Sequence, residues 1–329
     1  MSGVPSYPVF EAAYVDQLKL VYETPQFKNA PRGNRSHENL SVAFRIENPR
    51  DRLVRVAARK YNVVFNFAEV LWYLSGSPEL AMIAFYAPLI SKYSADGHRL
   101  QGTAYGPRLF QYGGAAVNQW NTVLNVLKED PDSKRAFMQI FAAEELLIQN
   151  NIDVACTLGL QYFIREGSLH GAGFMRANDA FRGVVSDVFA FTFLLELMAS
   201  ELGLQLGGYT HLVSSYHVYE ADFSRVTAVL NDPRAVDGAT PFPSMPKGDN
   251  WASIRDVLRL ERDLRCKHLT LTRAGLERLS LPTYWRDVVC LFALNAERTH
   301  SGKVDREKLA LLPPCFGRLL ENLWPEATA

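Results

Sequence analysis

The order of strand-like and helix-like segments constrains the fold of this chain more than any other feature. Alternating polar and apolar residues, bounded by turn residues, predict strands at residues 40–47, 137–141, 157–164, 170–175 and 209–213. Longer apolar or amphipathic stretches predict helices at residues 65–74, 118–128, 188–202 and 218–230 and throughout the chain after residue 251. These segments follow no regular β–α–β repeat, and no dinucleotide-binding or P-loop glycine motif is present. The pattern therefore predicts an α+β fold.

Three polar or glycine-rich stretches separate these elements and are predicted to be loops. They are residues 31–39, with two arginines, residues 102–114, which are rich in glycine and aromatic residues, and residues 231–250. The last is long enough to mark a boundary between the strand-containing region and the helices that follow it.

Composition excludes several classes of partner. The 329 residues are 48% hydrophobic, which is enough for a large core. Lys and Arg together number 35, as do Asp and Glu, so the basic excess of a duplex-binding protein is missing, and we expect no nucleic-acid partner. The four cysteines form no CxxC pair, so we expect neither a zinc site nor any other metal.

The sequence also predicts a cytoplasmic protein with no membrane partner. Its first residues lack the basic start and apolar run of a secretory signal. The most apolar stretch, residues 188–199, is interrupted by Glu196 and is too short to span a bilayer. The cysteines are expected to be free thiols in a reducing compartment.

The segment around Cys156 carries the strongest functional signal. Taken alone, this cysteine could be a buried structural thiol, which is the commoner role. A nucleophilic thiolate needs positive neighbours, for which Arg176 and the Lys134–Arg135 pair are candidates. Sequence separation does not decide between them.

Several motifs around Cys156 occur in a recognisable order. DVACTLGLQYF (153–163) precedes FMRANDAFRGVVSD (174–187) and GGYTHLVSSYHVY (207–219), and upstream lie AEVLWYLSG (68–76), Tyr105–Gly106 and DPDSKRAFMQIF (130–141). This order resembles the active-site region of the thymidylate synthase family over roughly residues 30–235. The spacing matches without gaps at Cys156, Gln161, Arg176, Asp179, Gly183, Asp187, His217 and Tyr219.

The resemblance implies covalent catalysis by Cys156. Its thiolate would add to C6 of a pyrimidine nucleotide, so that C5 attacks the methylene of 5,10-methylenetetrahydrofolate, the co-substrate. Glu69 would organise water and relay protons if its pKa is raised, and Tyr105 would assist proton removal at C5. The alternative for Glu69, a solvent-facing helix acid, is disfavoured by its apolar neighbours. Asp179 and Asn62 are the candidate folate contacts.

The resemblance also implies how the nucleotide is held. Arg176 would bind the phosphate from the same chain, while Lys134 and Arg135 would reach it from the second subunit of a homodimer formed through the sheets. Arg35 matches the arginine of the N-terminal loop, with Arg32 as a rival. The further nucleotide-binding candidates are Gln161, Ala177, Asp179, Asp187, His217 and Tyr219, of which His217 and Tyr219 would hold sugar hydroxyls. For each cation the alternative is a solvated surface charge.

Departures from the family pattern concern substrate choice. Asp187 replaces the asparagine that reads uracil, and a protonated Asp187 can donate to N3 of cytosine and accept from its amino group. The alternative is a helix N-cap before Val188. Ala177 replaces a serine, Lys134 an arginine and Thr157 a histidine. In these changes the chain resembles the hydroxymethylase branch of the family. That branch includes deoxycytidylate hydroxymethylase and the CMP 5-hydroxymethylase that takes part in the biosynthesis of the antibiotic mildiomycin.

Together these features predict a homodimer that hydroxymethylates C5 of CMP with methylenetetrahydrofolate and water. The alternatives are dCMP hydroxymethylation, thymidylate synthesis and non-catalytic nucleotide binding. We expect residues 1–245 to form a thymidylate synthase-like catalytic domain and residues 246–329 to form a helical extension packed on it. The final WPEATA departs from the family's folate-closing tail, so no folate contact is predicted there.

Overall fold

A mixed seven-stranded sheet forms the centre of the protein. The computed structural model describes residues 3–234 and 240–324. The strands are β1 Ser6–Tyr7, β2 Phe27–Asn29, β3 Ser36–Ile46, β4 Phe137–Gln139, β5 Thr157–Arg165, β6 Ser168–Asp179 and β7 Gln205–Tyr219. Their order is β1–β3–β7–β6–β5–β4, and β2 pairs with β3. The pairs β1–β3 and β6–β7 are parallel and the others antiparallel, so the predicted α+β class is confirmed.

Helices cover one face of this sheet and continue to the end of the described chain. They are α1 Phe10–Glu23, α2 Val63–Leu74, α3 Leu80–Tyr86, α4 Tyr105–Phe110, α5 Gln119–Glu129, α6 Gly183–Leu202, α7 Phe223–Leu230, α8 Trp251–Arg265, α9 Arg273–Glu277, α10 Thr283–Ser301, α11 Arg306–Leu309 and α12 Pro314–Leu323. Helix α6 packs between strands β6 and β7 on one side and α2 on the other. Helix α6 and its neighbouring strands therefore bring the motifs around Cys156 to one region.

Several predicted boundaries were wrong for identifiable reasons. The predicted loop at 31–39 contains the start of β3, and the predicted helix at 218–230 begins only at Phe223, because β7 stays paired with β3 through Tyr219. The predicted loop at 102–114 contains α4. Only glycine fits at position 106 of that helix, because a Cβ there would come within 2.6 Å of a backbone oxygen of α2. The glycine permits close packing of the two helices. From sequence alone, a glycine with this role cannot be told apart from a glycine in a loop.

Helix α6 is longer than predicted. It begins at Gly183 instead of Val188 and spans 20 residues, so by length and composition it could cross a membrane, contrary to the length argument from residues 188–199. In the fold it is largely buried, and its Glu196 forms ion pairs with Arg50 (2.8 Å) and Arg52. An apolar composition on all sides is what a central core helix requires. The absence of a membrane partner and the cytoplasmic location remain predictions.

The helices after residue 246 share a buried core with the sheet region. Helix α10 packs against α8 and α2, and Phe316 of α12 lies 5.6 Å from Phe67 of α2 between ring centroids. The Asn322 amide donates to the carbonyl of Ala57 (2.9 Å), close to the start of α2. Part of the predicted connection at 231–250, residues 235–239, lies outside the described residues. The domain boundary at residue 245 stays a prediction.

The opposite face of the sheet carries a partly exposed apolar stripe. Ala43, Leu212 and Phe174 lie side by side on β3, β7 and β6, and each is half-buried. Phe137 on β4 is 40% exposed, and its ring lies 6.1 Å from that of Phe174. Their strand neighbours point the other way, toward α6, as shown by the packing of His211 against a ring of that helix. We call these four residues the outer stripe.

Candidate active site

Cys156 lies directly before β5 in a loop that is tied to the loop preceding α4. The Asp153 carboxylate accepts hydrogen bonds from the backbone N–H groups of residues 101–103, at 2.6 to 3.1 Å. A Cβ on Gly102 would lie 2.0 Å from the Asp153 carbonyl oxygen, so only glycine permits this approach. The two loops therefore hold Cys156 and the first residue of α4 in a fixed relation.

Arg176 on β6 is the cation beside the half-buried thiol. Its Nε donates to the carbonyl of Ala155 (2.8 Å) and its Nη2 to that of Val154 (3.0 Å), and Nη2 also lies 3.7 Å from Cys156 Sγ. Burial raises the pKa of Cys156, and Arg176 is the largest influence that lowers it. The guanidinium can therefore stabilise a thiolate where the surrounding protein disfavours one.

Arg176 and Arg32, rather than Lys134 or Arg135, are the cations that lower the pKa of Cys156. Lys134 and Arg135 are exposed, and the backbone carbonyl of Lys134 accepts a hydrogen bond from Gln161 Nε2 (2.9 Å). No ion pair within the described residues engages either side chain. Of the predicted candidates, the structure thus places Arg176 beside Cys156.

Glu69 is buried on α2, so the solvent-facing alternative is wrong. It is 8% exposed, and burial together with the nearby Asp187 raises its pKa to about 8. A hydrogen bond from Tyr73, four residues further on the same helix face, opposes that rise. Glu69 is therefore mostly protonated at neutral pH and can both donate and accept a proton.

Tyr105 begins α4 and is joined to the strand that follows Cys156. Its ring stacks on that of Tyr73 with centroids 4.8 Å apart, and the Thr157 hydroxyl donates to the Tyr105 hydroxyl (3.0 Å). Burial raises the pKa of Tyr105 well above its ordinary value. The sequence comparison noted Thr157 only as a replaced histidine and did not identify Tyr73, although its spacing from Glu69 places the two on one helix face.

Asp187 lies inside α6, so the helix-cap alternative is also wrong. The helix begins four residues earlier, and the turn before it is held by Asp179, whose Oδ1 accepts from the backbone of Phe181 and Arg182 at 2.8 Å each. Asp187 as a whole is half-buried, and burial of its carboxyl, with a smaller contribution from Asp179, raises the pKa to about 7. Asn178, which sequence reasoning missed, donates to Asp187 Oδ2 at 2.7 Å.

The remaining predicted nucleotide contacts lie at the ends of β6 and β7. Asp179 and His217 are paired in register, as are Ala177 and Ser215. The rings of His217 and Tyr219 are 5.1 Å apart, and both residues are half-buried. The strand ends therefore bring these side chains to the same region as Arg176, which directly precedes Ala177.

The structure distinguishes the two N-terminal arginines. Arg35 forms an ion pair with Glu220 (3.2 Å), and its side chain is 74% exposed. Arg32 has a left-handed backbone conformation (φ 52°) and lowers the pKa of both Cys156 and Tyr219. The charge of Arg32 therefore acts on the site, whereas Arg35 is already engaged by Glu220.

A pocket of about 160 Å³ opens beside α2 and the start of α6. It is lined by Arg59, Lys60, Tyr61, Asn62, Phe65, Asn66, Arg182, Val185 and Ser186. Asn62 caps α2 by accepting from the backbone of Phe65 (3.0 Å). Arg59 has a buried Nε without a partner, and no carboxylate pairs with it in the described part of the chain. The pocket thus combines aromatic surface with cationic side chains, whereas Asp179, the other predicted folate contact, is not among its lining residues and serves the turn before α6.

No metal site accompanies these residues in the part of the chain that the structure describes. Within residues 3–234 and 240–324, no three His, Cys, Asp or Glu side chains are grouped so that they could hold an ion.

A mixed sheet that presents a cysteine beside an arginine, together with a buried glutamic acid of raised pKa, holds the groups that an enzyme with a covalent nucleophile needs. Residues 12–246 match thymidylate synthase, and the chain belongs to that family, as its motifs predicted. The chain is 31% identical over 242 residues to a deoxyuridylate hydroxymethyltransferase of Delftia phage PhiW-14, covering 70% of this chain and 65% of that protein. It is 31% identical over 220 residues to a deoxyuridylate hydroxymethyltransferase of Bacillus phage SP01, covering 64% of this chain and 57% of the relative.

These relatives fall in the hydroxymethylase branch that the departures from the family pattern indicated. The matches cover 57% to 65% of the length of these relatives. The names of these relatives refer to a uracil nucleotide, whereas the sequence of this chain predicts that Asp187 reads cytosine. The function of this chain therefore depends on which base, uracil or cytosine, its site accepts.

Proposed function

We propose that this protein hydroxymethylates C5 of CMP. The observation that carries the proposal is Asp187, whose pKa of about 7 and bond from Asn178 leave one carboxyl oxygen able to hold a proton. The overall reaction joins CMP, a one-carbon unit at the formaldehyde level from methylenetetrahydrofolate, and water, and it releases 5-hydroxymethyl-CMP and tetrahydrofolate. No external oxidant or reductant is needed.

Base selection follows from the hydrogen-bonding pattern of Asp187. Cytosine offers an acceptor at N3 and a donor at its amino group, so a protonated carboxyl can meet both. Uracil offers a donor at N3 and an acceptor at O4, which the same acid meets only with its donor and acceptor exchanged. A mismatched buried pair costs ~1–3 kcal/mol. Protonated Asp187 therefore favours cytosine.

Cys156 supplies the covalent step. Its thiolate, stabilised by Arg176, adds to C6 of the pyrimidine and makes C5 nucleophilic. Once C5 has taken the one-carbon unit and lost its proton, the bond from that carbon to the folate nitrogen would break and tetrahydrofolate would leave with the electron pair. Water then adds to the exocyclic carbon, and the C6–S bond breaks. The thiolate leaves with the electron pair of that bond, which restores the aromatic ring.

Glu69 and Tyr105 are placed to manage the protons of this sequence. Glu69 is protonated at neutral pH because its pKa is about 8, so it can act as a donor and later as an acceptor. The Tyr105 hydroxyl, held by Thr157 (3.0 Å), is the candidate for assisting proton removal at C5. Both groups lie in the buried part of the site, where water is limited.

Methylenetetrahydrofolate would supply the one-carbon unit when it is bound. Asn62 and Arg59 in the pocket beside α2 are the residues we assign to hold it, because they offer an amide and an unpaired guanidinium nitrogen next to aromatic surface. That pocket opens beside the helix that carries Glu69.

The relatives' names favour a second candidate, hydroxymethylation of dUMP. The discriminating experiment incubates the protein with CMP, dCMP, UMP and dUMP, each with 14C-labelled methylenetetrahydrofolate, and identifies products by mass. A gain of one CH2O unit on CMP supports the proposal. A CH2O gain only on dUMP would favour the second candidate, a methyl product would indicate thymidylate synthesis, and no product with any nucleotide would indicate a non-catalytic homologue.

Ribose preference is assigned to Ala177 and Lys134. Replacement of a serine by Ala177 removes one phosphate donor, so the phosphate and the attached ribose can settle with room for a 2′-hydroxyl near His217 and Tyr219. We expect Ala177→Ser with Lys134→Arg to raise kcat/KM for dCMP relative to CMP by about tenfold, the value of one hydrogen bond. Steady-state kinetics on both nucleotides measure this ratio. A ratio equal to that of the wild type would exclude these residues from sugar selection.

We further propose a homodimer formed through the outer stripe. Ala43, Leu212, Phe174 and Phe137 give a partly exposed apolar surface, and Lys134 and Arg135 lie beside it without same-chain ion pairs in the described structure. A second copy on this face would bring its Lys134 and Arg135 to the phosphate.

Shared sites predict complementation between inactive chains. We expect Cys156→Ala and Arg135→Ala homodimers each to lose activity, whereas their heterodimer should recover up to about half of the wild-type activity per dimer, because one of its two sites is intact. Heterodimers carrying two different tags can be purified and assayed directly. Verified heterodimers as inactive as the parents would argue that each chain builds its own site.

A further inference from the structure

A line of buried polar side chains extends from Asp187 away from the site. Asn178 Nδ2 donates to Asp187 Oδ2 at 2.7 Å, Asn178 Oδ1 lies 2.9 Å from His211 Nε2, and His211 Nδ1 lies 2.9 Å from the Tyr209 hydroxyl. Asn178, His211 and Tyr209 are each no more than 3% exposed. None of the reaction steps above uses His211 or Tyr209, yet both are fully paired in the core.

We propose that Asn178, His211 and Tyr209 form a directional hydrogen-bond relay that fixes which oxygen of Asp187 carries the proton. They are positioning residues for base selection, and this role rests on the proposed reading of cytosine by Asp187.

The direction of the relay is set at Tyr209. In the described part of the chain, its hydroxyl has one hydrogen-bond partner, His211 Nδ1. Leaving a buried O–H without an acceptor is unfavourable, so Tyr209 donates and Nδ1 accepts. Burial lowers the pKa of His211 to about 3, so the ring is neutral and carries its single proton on Nε2.

The remaining bonds follow from that tautomer. His211 Nε2–H donates to Asn178 Oδ1, which turns the Asn178 amide nitrogen toward Asp187 and makes Asp187 Oδ2 an acceptor. A proton on Asp187 then sits on Oδ1. The acid presents Oδ1–H as a donor beside a second lone pair on Oδ2, which matches N3 and the amino group of cytosine. In the reversed relay, Asp187 would donate to Asn178, and the Tyr209 O–H would lose its acceptor.

Burial is the main cause that favours the protonated form of Asp187, and the Asp179 carboxyl at the end of β6 adds to it. The other titratable groups that interact with Asp187 come from α2, α4, the loop before β5 and β7, and they are Glu69, Tyr73, Tyr105, Cys156 and Tyr209. Each is an acid or a neutral hydroxyl or thiol, and none is a cation. Asp187 is therefore protonated below a pH of about 7, and its proton is lost as the pH rises through that value.

Kinetics with a matched pair of tyrosine variants test the relay. Tyr209→Phe removes the donor that sets its direction, and Tyr216→Phe removes a buried hydroxyl without a partner from the same strand. The ratio of kcat/KM for CMP to that for UMP is measured from pH 6 to pH 9. We expect the wild-type and Tyr216→Phe ratios to fall above a pH of about 7, and the Tyr209→Phe ratio at pH 6 to be about tenfold lower.

The outcomes separate the relay from the proposed reaction. A wild type without preference for CMP contradicts the proposed function itself. A wild type that prefers CMP, with the same ratio and the same pH midpoint in Tyr209→Phe, overturns the relay alone. A test on the unsubstituted protein needs no variant to fold: 15N NMR of histidine-labelled protein should show His211 neutral with its proton on Nε2 from pH 6 to pH 8. A proton on Nδ1 would reverse the relay and overturn the proposal.

Discussion

Replacement of Cys156 by alanine is expected to lower kcat for CMP by more than about 10³-fold, as the removal of a covalent nucleophile does in other enzymes. Addition at C6 is what makes C5 nucleophilic, and among the described residues no other thiol is found beside Arg176. Binding should persist, because the phosphate and base contacts assigned to Arg176 and Asp187 do not involve the sulfur. Product formation and CMP affinity by calorimetry are the two measurements.

A thiol elsewhere in the chain provides the control for this loss. Cys266 is exposed at the end of α8, outside the site, so Cys266→Ala should retain wild-type activity. Trapping adds an independent readout: wild type, but not Cys156→Ala, should form a mass adduct with 5-fluoro-CMP and methylenetetrahydrofolate. Near-normal turnover by Cys156→Ala would remove the covalent mechanism.

The sequence predicted the elements that carry the site more successfully than their limits. The predicted helix at 65–74 corresponds to α2, and the predicted strand at 157–164 to β5, because an apolar run and a clear alternation are local signals. The ends of β6, β7 and α6 were set by pairing and packing with segments far away in the chain. For the same reason the alternative for Asp187 as a helix cap failed: it depended on a start at Val188, whereas α6 begins at Gly183.

Contacts between distant residues were beyond the reach of sequence reasoning. Asn178 and His211 are 33 positions apart and meet because β6 and β7 are parallel neighbours, with Gly173 opposite His211. Nothing in either residue alone indicates that pairing, and a lone histidine fits many buried positions. Arg32 and Arg35 posed a similar problem, because only the ion pair of Arg35 with Glu220 shows which of them is already engaged.

Asp187→Asn is expected to shift the base preference from cytosine toward uracil. An asparagine amide can accept from N3–H of uracil and donate to O4, but it reads cytosine poorly in that orientation. Each mismatch costs ~1–3 kcal/mol, so we expect the ratio of kcat/KM for CMP to that for UMP to fall by about one to two decades. In that orientation the amide nitrogen of the new side chain takes the place of Oδ2, so the Asn178 amide has to turn its oxygen, instead of its nitrogen, toward position 187.

The same substitution should also change the pH dependence of base choice. Because Asp187 titrates with a pKa of about 7, the wild-type preference for CMP is expected to decline above that pH, whereas an amide does not titrate, so the Asp187→Asn ratio should be flat from pH 6 to pH 9. Loss of the neighbouring carboxyl should also bring the pKa of Glu69 down, which moves the pH profile of kcat on both nucleotides together and leaves their ratio unaffected. Asp256→Asn, on the exposed face of α8, is the matched control and should behave as wild type. If Asp187→Asn kept the wild-type ratio and its decline with pH, base selection would have to reside in another residue.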